Sequence, residues 1–279
     1  KKKLSAEQIA DFEKWVAMGA PDPRTTGDAT ASEKKLNLEA ARQFWAFQPV
    51  SKPTVPKLKR ADWAYTDIDR FVLTALEGKG IGPVQDANNL ILLRRLYFDL
   101  IGLPPTPDQM SAFESGAAKD RQGAIEAVVD ELLASPHFGE RWGRHWLDVV
   151  RFSESTGGGR TALMKEAWRY RDYVVNAFNT DKPYTDFIRE QIAGDLIKGG
   201  SIEQQRERLT ATAFLLLGPT NYELQDKTVL EMDIVDEQMD TMGKAFMALT
   251  IGCARCHDHK FDPIRTEDYY GMAGIFKST

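Results

Sequence analysis

The sequence predicts an all-α protein, a multi-helix domain with long loops. Apolar residues recur three and four apart through most of the chain, capping residues and prolines punctuate those runs, and no period-two alternation lasts long enough for a sheet. No internal repeat is visible. At 279 residues and 42% hydrophobic content, the chain can bury one large core or two modest ones. A net charge of -5, with Lys1 to Lys3 as a short terminal run, excludes general nucleic-acid binding, which needs a clustered basic surface. No apolar run is long enough to span a bilayer, and no secretory signal opens the chain.

Each element has its own signal. Leu4 to Gly19 reads as an amphipathic helix with Ser5 as cap and Ile9, Phe12, Trp15 and Val16 on one stripe. Ala20 to Ser32 loses periodicity, and Pro49, Pro53 and Pro56 mark a second extended stretch. Helices follow at Asp67 to Gly78 and at Asn88 to Leu100, the latter stopped by Gly102-Leu103-Pro104-Pro105. Thr106-Pro107 caps and opens a short helix to about Phe113. Ala124 to Ala134, Glu140 to Phe152, Lys165 to Phe178 and Tyr184 to Leu196 continue the series. Leu209 to Leu217 and Asp226 to Leu249 complete it. Gly157-Gly158-Gly159 and Gly199-Gly200 read as flexible joints. The first lacks the Lys-Ser or Lys-Thr and the preceding strand of a phosphate cradle.

The most specific stretch is Cys253-Ala254-Arg255-Cys256-His257, which uses both cysteines of the chain. C-x-x-C-H is the spacing of covalent c-type haem attachment: two thiols one turn apart add to vinyl groups, and the histidine supplies an axial nitrogen. The expected cofactor is one covalent haem c on Cys253 and Cys256, with His257 as proximal iron ligand. Zinc held by Cys253, Cys256, His257 and His259 in a structural domain, or a bare redox dithiol, are the competing readings.

The opposite axial position decides between electron transfer and reaction chemistry. Of four histidines, His145 is the candidate distal ligand, because Trp142, Val149 and Phe152 place it on an apolar helix stripe. Its alternative is a buried structural histidine; His137, after Pro136, reads as structural. Met239, Met242, Met247 and Met272 are thioether alternatives better read as core filling. Asp258, His259, Lys260 and Asp262 form a polar extension that can tune the imidazole, make a turn or hold a metal. Arg169 and Arg171, among Trp168, Tyr170 and Tyr173, are candidates for anchoring haem propionates. Their alternative is surface ion pairing with Trp168 and Tyr173 packed inward. Glu231, Asp233, Asp236, Glu237 and Asp240 read as a solvated acidic face.

Several longer words add a resemblance. Asp99-Leu100-Ile101-Gly102-Leu103-Pro104-Pro105, Ser135-Pro136-His137-Phe138-Gly139-Glu140-Arg141-Trp142, Glu190-Gln191-Ile192-Ala193-Gly194-Asp195-Leu196 and Cys253 to Pro263 occur in order. From about Phe44 to Thr279 the chain resembles a haem-associated domain of the large secreted planctomycete-type cytochrome c proteins. Leu4 to Pro23 resembles the last helix of the small cytochrome c domain that precedes it. The resemblance implies residues 1–23 as the tail of a preceding cytochrome c domain, 24–62 as linker and extended segment, and 63–279 as an α-helical haem c domain. It also implies that the chain is a piece of a larger protein. The expected function is electron transfer in an exported c-type haem protein, with an adjoining cytochrome c domain or another redox protein as partner. Covalent haem attachment occurs outside the bacterial cytoplasm, so the location expected is periplasmic or extracellular. The alternative is a haem-dependent oxidoreductase acting on an extracellular, carbohydrate-like substrate.

Overall fold

A computed structural model of the chain describes residues 4–21, 37–58, 63–159 and 161–278. Among these, twelve α-helices account for the architecture, and extended pairing is limited to two isolated bridges, Ser155 with Leu163 and Gly157 with Thr220. The chain is therefore all-α, and no helix among the described residues is long and apolar enough to cross a membrane.

The chain divides into two units, residues 1–48 and 49–279. In the first, α1 (Ala6–Ala17) begins where the sequence indicates, with a reciprocal capping box between Ser5 and Gln8. Its stripe of Ile9, Phe12, Trp15 and Val16 is exposed. A short α2 (Leu38–Arg42), capped by Asn37, and a 3-10 turn at Trp45–Phe47 fall inside the stretch expected to be linker. Five residues are too few for periodicity to register. Residues 22–36 and 59–62 of that stretch lie outside the described residues.

The second unit opens with α3 (Asp67–Gly78) and is built on three apolar clusters. In the first, α4 (Asn89–Leu100), α5 (Pro107–Ala117) and α6 (Arg121–Leu133) close round Leu93, Tyr97, Phe113 and Leu132. The second joins α7 (Pro136–Val149), α8 (Ala167–Asn179), α9 (Tyr184–Ala193) and α10 (Ile202–Ala211). Trp146, Tyr170, Tyr173, Val174, Phe187 and Phe214 form its centre. Gly139 lets α7 approach α8, since a Cβ there would stand 2.3 Å from the Val175 carbonyl oxygen. The third cluster joins α11 (Lys227–Met242), a 3-10 turn at Ile251–Arg255 and α12 (Thr266–Lys277) round Val235, Met239, Ile251, Ala254, Tyr269 and Ala273.

Three departures from the sequence expectations have physical reasons. The α10 helix covers Ile202–Ala211 rather than Leu209 to Leu217, because Ser201 and Gln204 form a capping box ahead of a mostly polar first turn. The Gly157-Gly158-Gly159 joint is a close packing contact: a Cβ on Gly158 would lie 2.9 Å from the Asn221 nitrogen, and Gly157 and Gly159 take φ of +67° and +58°. Third, α12, which periodicity does not announce, forms because the Asp268 carboxylate accepts the Arg265 backbone N–H at 2.8 Å and pairs with its guanidinium, and Tyr269 and Ala273 meet α11.

A polar chain runs through the second cluster. The Trp146 indole N–H donates to the Tyr170 hydroxyl at 3.0 Å, and that hydroxyl donates to Gln191 Oε1 at 2.6 Å. Tyr173 donates to Glu190 Oε2 at 2.7 Å, and Lys182 pairs with the same carboxylate. Burial raises both tyrosines above the ordinary phenol value of 10.0, and for Tyr173 the Glu190 carboxylate adds to the shift. A raised folded value means that this stability is complete below about pH 10, where unfolded tyrosine is still protonated, and is lost as pH rises further. The urea midpoint should therefore decline as pH passes about 10, and replacing both Tyr170 and Tyr173 by Phe should flatten that limb. An unchanged alkaline slope in the double variant would contradict this.

Candidate functional site

The C-x-x-C-H motif begins where the chain doubles back after α11. The helix widens into a π-helical turn at Gly243–Met247, and Ala248 takes the left-handed conformation at φ 54°. Gly243 leaves room for the returning strand of chain: a Cβ there would meet Ile251 Cδ1 at 2.7 Å. The 3-10 turn Ile251–Arg255 then follows, with Cys256 as its cap.

In a 3-10 turn, residues three apart eclipse one another and rise about 6 Å between them. Residues 251 to 256 therefore sort into three faces. Ile251 and Ala254 are buried, at 4% and 0% exposure, in the third apolar cluster. Cys253 and Cys256 are both exposed free thiols. Gly252 and Arg255 lie on the remaining face, towards the acidic side of α11. An added Cβ on Gly252 would sit 3.5 Å from Asp240 Oδ1 and 3.7 Å from Asp236 Oδ1. Arg255 reaches Asp233 Oδ1 at 3.0 Å and Asp236 Oδ2 at 3.4 Å. The Asp233 hydrogen bond raises the guanidinium above its ordinary value, so Arg255 stays charged.

The acidic run on α11 is only in part the solvated face the sequence suggests: Glu231 stays exposed, whereas Asp236 and Asp240 are half-buried and paired. Besides holding Arg255, Asp236 accepts from the buried Tyr269 hydroxyl at 2.6 Å, Glu237 pairs with Arg151, and Asp240 with Lys244. Burial first, and then the Asp236 carboxylate, raise the Tyr269 phenol. The Tyr270 hydroxyl donates to the Arg255 carbonyl at 3.2 Å, a second tie from α12 to the turn.

His257 is exposed, and its Nδ1 lies 2.8 Å from the Asp258 carbonyl oxygen. A carbonyl only accepts, so Nδ1 donates and the lone pair is on Nε2. Metal-binding imidazoles are commonly oriented in this way. His259 is the opposite case, buried at 6% exposure. Its Nδ1 accepts the backbone N–H of Asp262 at 2.8 Å and of Phe261 at 3.2 Å, so Nε2 carries the proton and donates to Thr250 Oγ1 at 3.0 Å. In this arrangement both ring nitrogens of His259 are engaged within the turn, whereas His257 keeps Nε2 exposed. Among the described residues no group of three or more His, Cys, Asp or Glu side chains is arranged to hold an ion. The polar extension after the motif is a pinned turn: His259 N–H donates to Ile264 O at 2.8 Å, and Asp258 accepts from Thr266 N–H at 3.0 Å.

The other candidates lie on different elements. His145 is exposed on α7, its ring 5.3 Å from that of Trp142, which corrects the expectation of a desolvated histidine on the packed stripe. The buried face of α7 is Gly139, Gly143 and Trp146, one residue round the helix. Hydropathy misses this face because two of its contacts are glycines that admit α8. Arg169 and Arg171, on α8, pair with Glu166 and with Asp172, and Arg169 stacks on Trp168 at 4.8 Å. Tyr173 packs inward and Trp168 is exposed, so half of the inward pair expected from sequence is found there. Met239 is fully buried core, whereas Met247 is exposed. His137 bonds Glu140 in the first turn of α7.

Fold and turn together define a class: an all-α domain that displays a C-x-x-C-H turn on an ion-paired support. The chain belongs to the PSCyt2 family, described as a protein of unknown function (DUF1549), which matches residues 67–279. No curated protein and no solved structure matches it.

Replacing His259 by Ala should leave the N–H groups of Phe261 and Asp262 without their acceptor and cost about 1–3 kcal/mol. Urea unfolding gives the cost, and limited proteolysis should show earlier cleavage between residues 257 and 265. A variant as stable and as resistant as the parent would sink the assignment of His259 as the pin of this turn.

Proposed function

We propose that this domain carries one haem c, joined by thioether bonds to Cys253 and Cys256 with His257 as axial ligand, and serves in electron transfer outside the cytoplasm. One observation carries the reading. Two exposed thiols share one face of a 3-10 turn, and the imidazole that follows keeps Nε2 free while Nδ1–H is held by a carbonyl. The donor set fits a c-type haem: both thiols are accessible to add across vinyl groups, and the nitrogen left free is one that can bind iron. A bound haem would supply a one-electron iron couple. The chain's own residues hold the thiols outward, fix the imidazole tautomer and anchor the turn to α11 and α12. Attachment of this kind places the protein in the periplasm or beyond it, with another redox protein as partner.

The test is expression with export and haem maturation. The expected product is red, gains the mass of one haem and gives a pyridine haemochrome spectrum; Cys253→Ala with Cys256→Ala should abolish the covalent gain. Matured, exported protein without colour or iron would refute the reading. A low-spin spectrum indifferent to cyanide and carbon monoxide is expected for electron transfer, whereas a high-spin haem that binds them would favour the oxidoreductase alternative.

His145 offers a separate check. Because it is exposed on α7, among contacts unrelated to the turn, His145→Ala should leave the haem spectrum unchanged. A change from six to five coordination would identify it as the distal ligand after all.

A further inference from the structure

We infer that Arg255 is the positioning residue of the C-x-x-C-H turn and that its ion pairs with Asp233 and Asp236 balance the charge beside the attached group. The redox half of this inference rests on the haem reading; the positioning half rests on the geometry alone.

Ile251 and Ala254 seat the turn on the core, and of the two only Ile251 has the bulk to resist rotation. Ala254 has one carbon beyond the backbone, and burial is not directional. The directional contacts come from Arg255. Its guanidinium spans two carboxylates one helical turn apart on α11, at 3.0 and 3.4 Å, and its carbonyl accepts from Tyr270 on α12. Asp236 is itself held by the Tyr269 hydroxyl at 2.6 Å, so the anchor does not follow the arginine if the turn rotates. In a turn of three residues per revolution, holding residue 255 fixes the direction of 253 and 256. A small apolar residue and an arginine between the cysteines thus have separate tasks, seating and aiming.

The same contacts set a charge balance. One guanidinium faces two carboxylates directly before Cys256 and two residues before His257. Removing the positive charge leaves both carboxylates uncompensated and favours the more positive, oxidised iron; removing one carboxylate does the reverse. The two changes therefore shift a reduction potential in opposite directions, which loss of structure alone does not do.

The experiment compares the full chain with Arg255→Gln, Arg255→Lys and Asp233→Asn. Hydrogen exchange is followed at residues 251–256 in the haem-free and the matured forms, and potentials are measured in the matured form. Arg255→Gln should raise exchange in this segment about tenfold or more and lower the potential; Arg255→Lys should recover part of both. Asp233→Asn should raise the potential. Unchanged exchange in Arg255→Gln would overturn the positioning role, and potentials moving the same way in Arg255→Gln and Asp233→Asn would overturn the charge balance. If the wild type matures without haem, the haem reading fails, while exchange in the haem-free chain still decides the positioning role. If Arg255→Gln does not fold, Arg255→Lys and Asp233→Asn decide: wild-type exchange in both, or a potential that does not rise in Asp233→Asn, overturns the inference.

Discussion

Between Ile251 and Cys256 the backbone completes a turn every three residues, and each of the three resulting faces meets a different environment. Core, carboxylates and solvent each take one pair. A rotation that moved the thiols inward would expose Ile251 and strip Arg255 from Asp233 and Asp236. The exposure of Cys253 and Cys256 is thus the consequence of two other commitments made by the same six residues.

Those commitments depend on elements on both sides of the motif. The α11 helix presents Val235 and Met239 to the core and Asp233 and Asp236 to the arginine, so it supplies both the apolar seat and the ionic anchor. The π-helical turn and left-handed Ala248 turn the chain back close enough for Ile251 to lie over Gly243. From the other side, α12 contributes Tyr269 to the anchor and Tyr270 to the backbone of the turn. His259 then closes the loop between them by accepting two backbone N–H groups. A domain supported in this way keeps the imidazole of His257 exposed while the ring two residues later is buried.

Much of the helical framework was legible in the chain itself. Ser5, Thr106 with Pro107, and the three-four spacing of Asp67 to Gly78 each mark a local event that needs no partner. The C-x-x-C-H spacing was legible for the same reason. Less accessible were the helices whose signals are polar or short: α10 starts on a capping box with no apolar stripe, α2 has five residues, and α12 draws its stability from α11. The apolar face of α7 lies one residue round from the stripe that hydropathy indicates, because hydropathy does not weigh the glycines through which α8 packs.

The all-α class, most helix starts and the identity of the five residues that carry the proposed chemistry follow from local patterns in the chain, because they depend on caps, periodicity and spacing within one turn. Tertiary structure alone decided which histidine is free and which is engaged. His257 and His259 differ by two positions, and only the return of the chain at Ile264 and the approach of Thr250 bury one of them. It also turned part of the acidic stripe of α11 into an anchor, since a carboxylate's role depends on whether a cation from a distant segment reaches it. That pairing is a property of the folded chain, invisible to any local pattern.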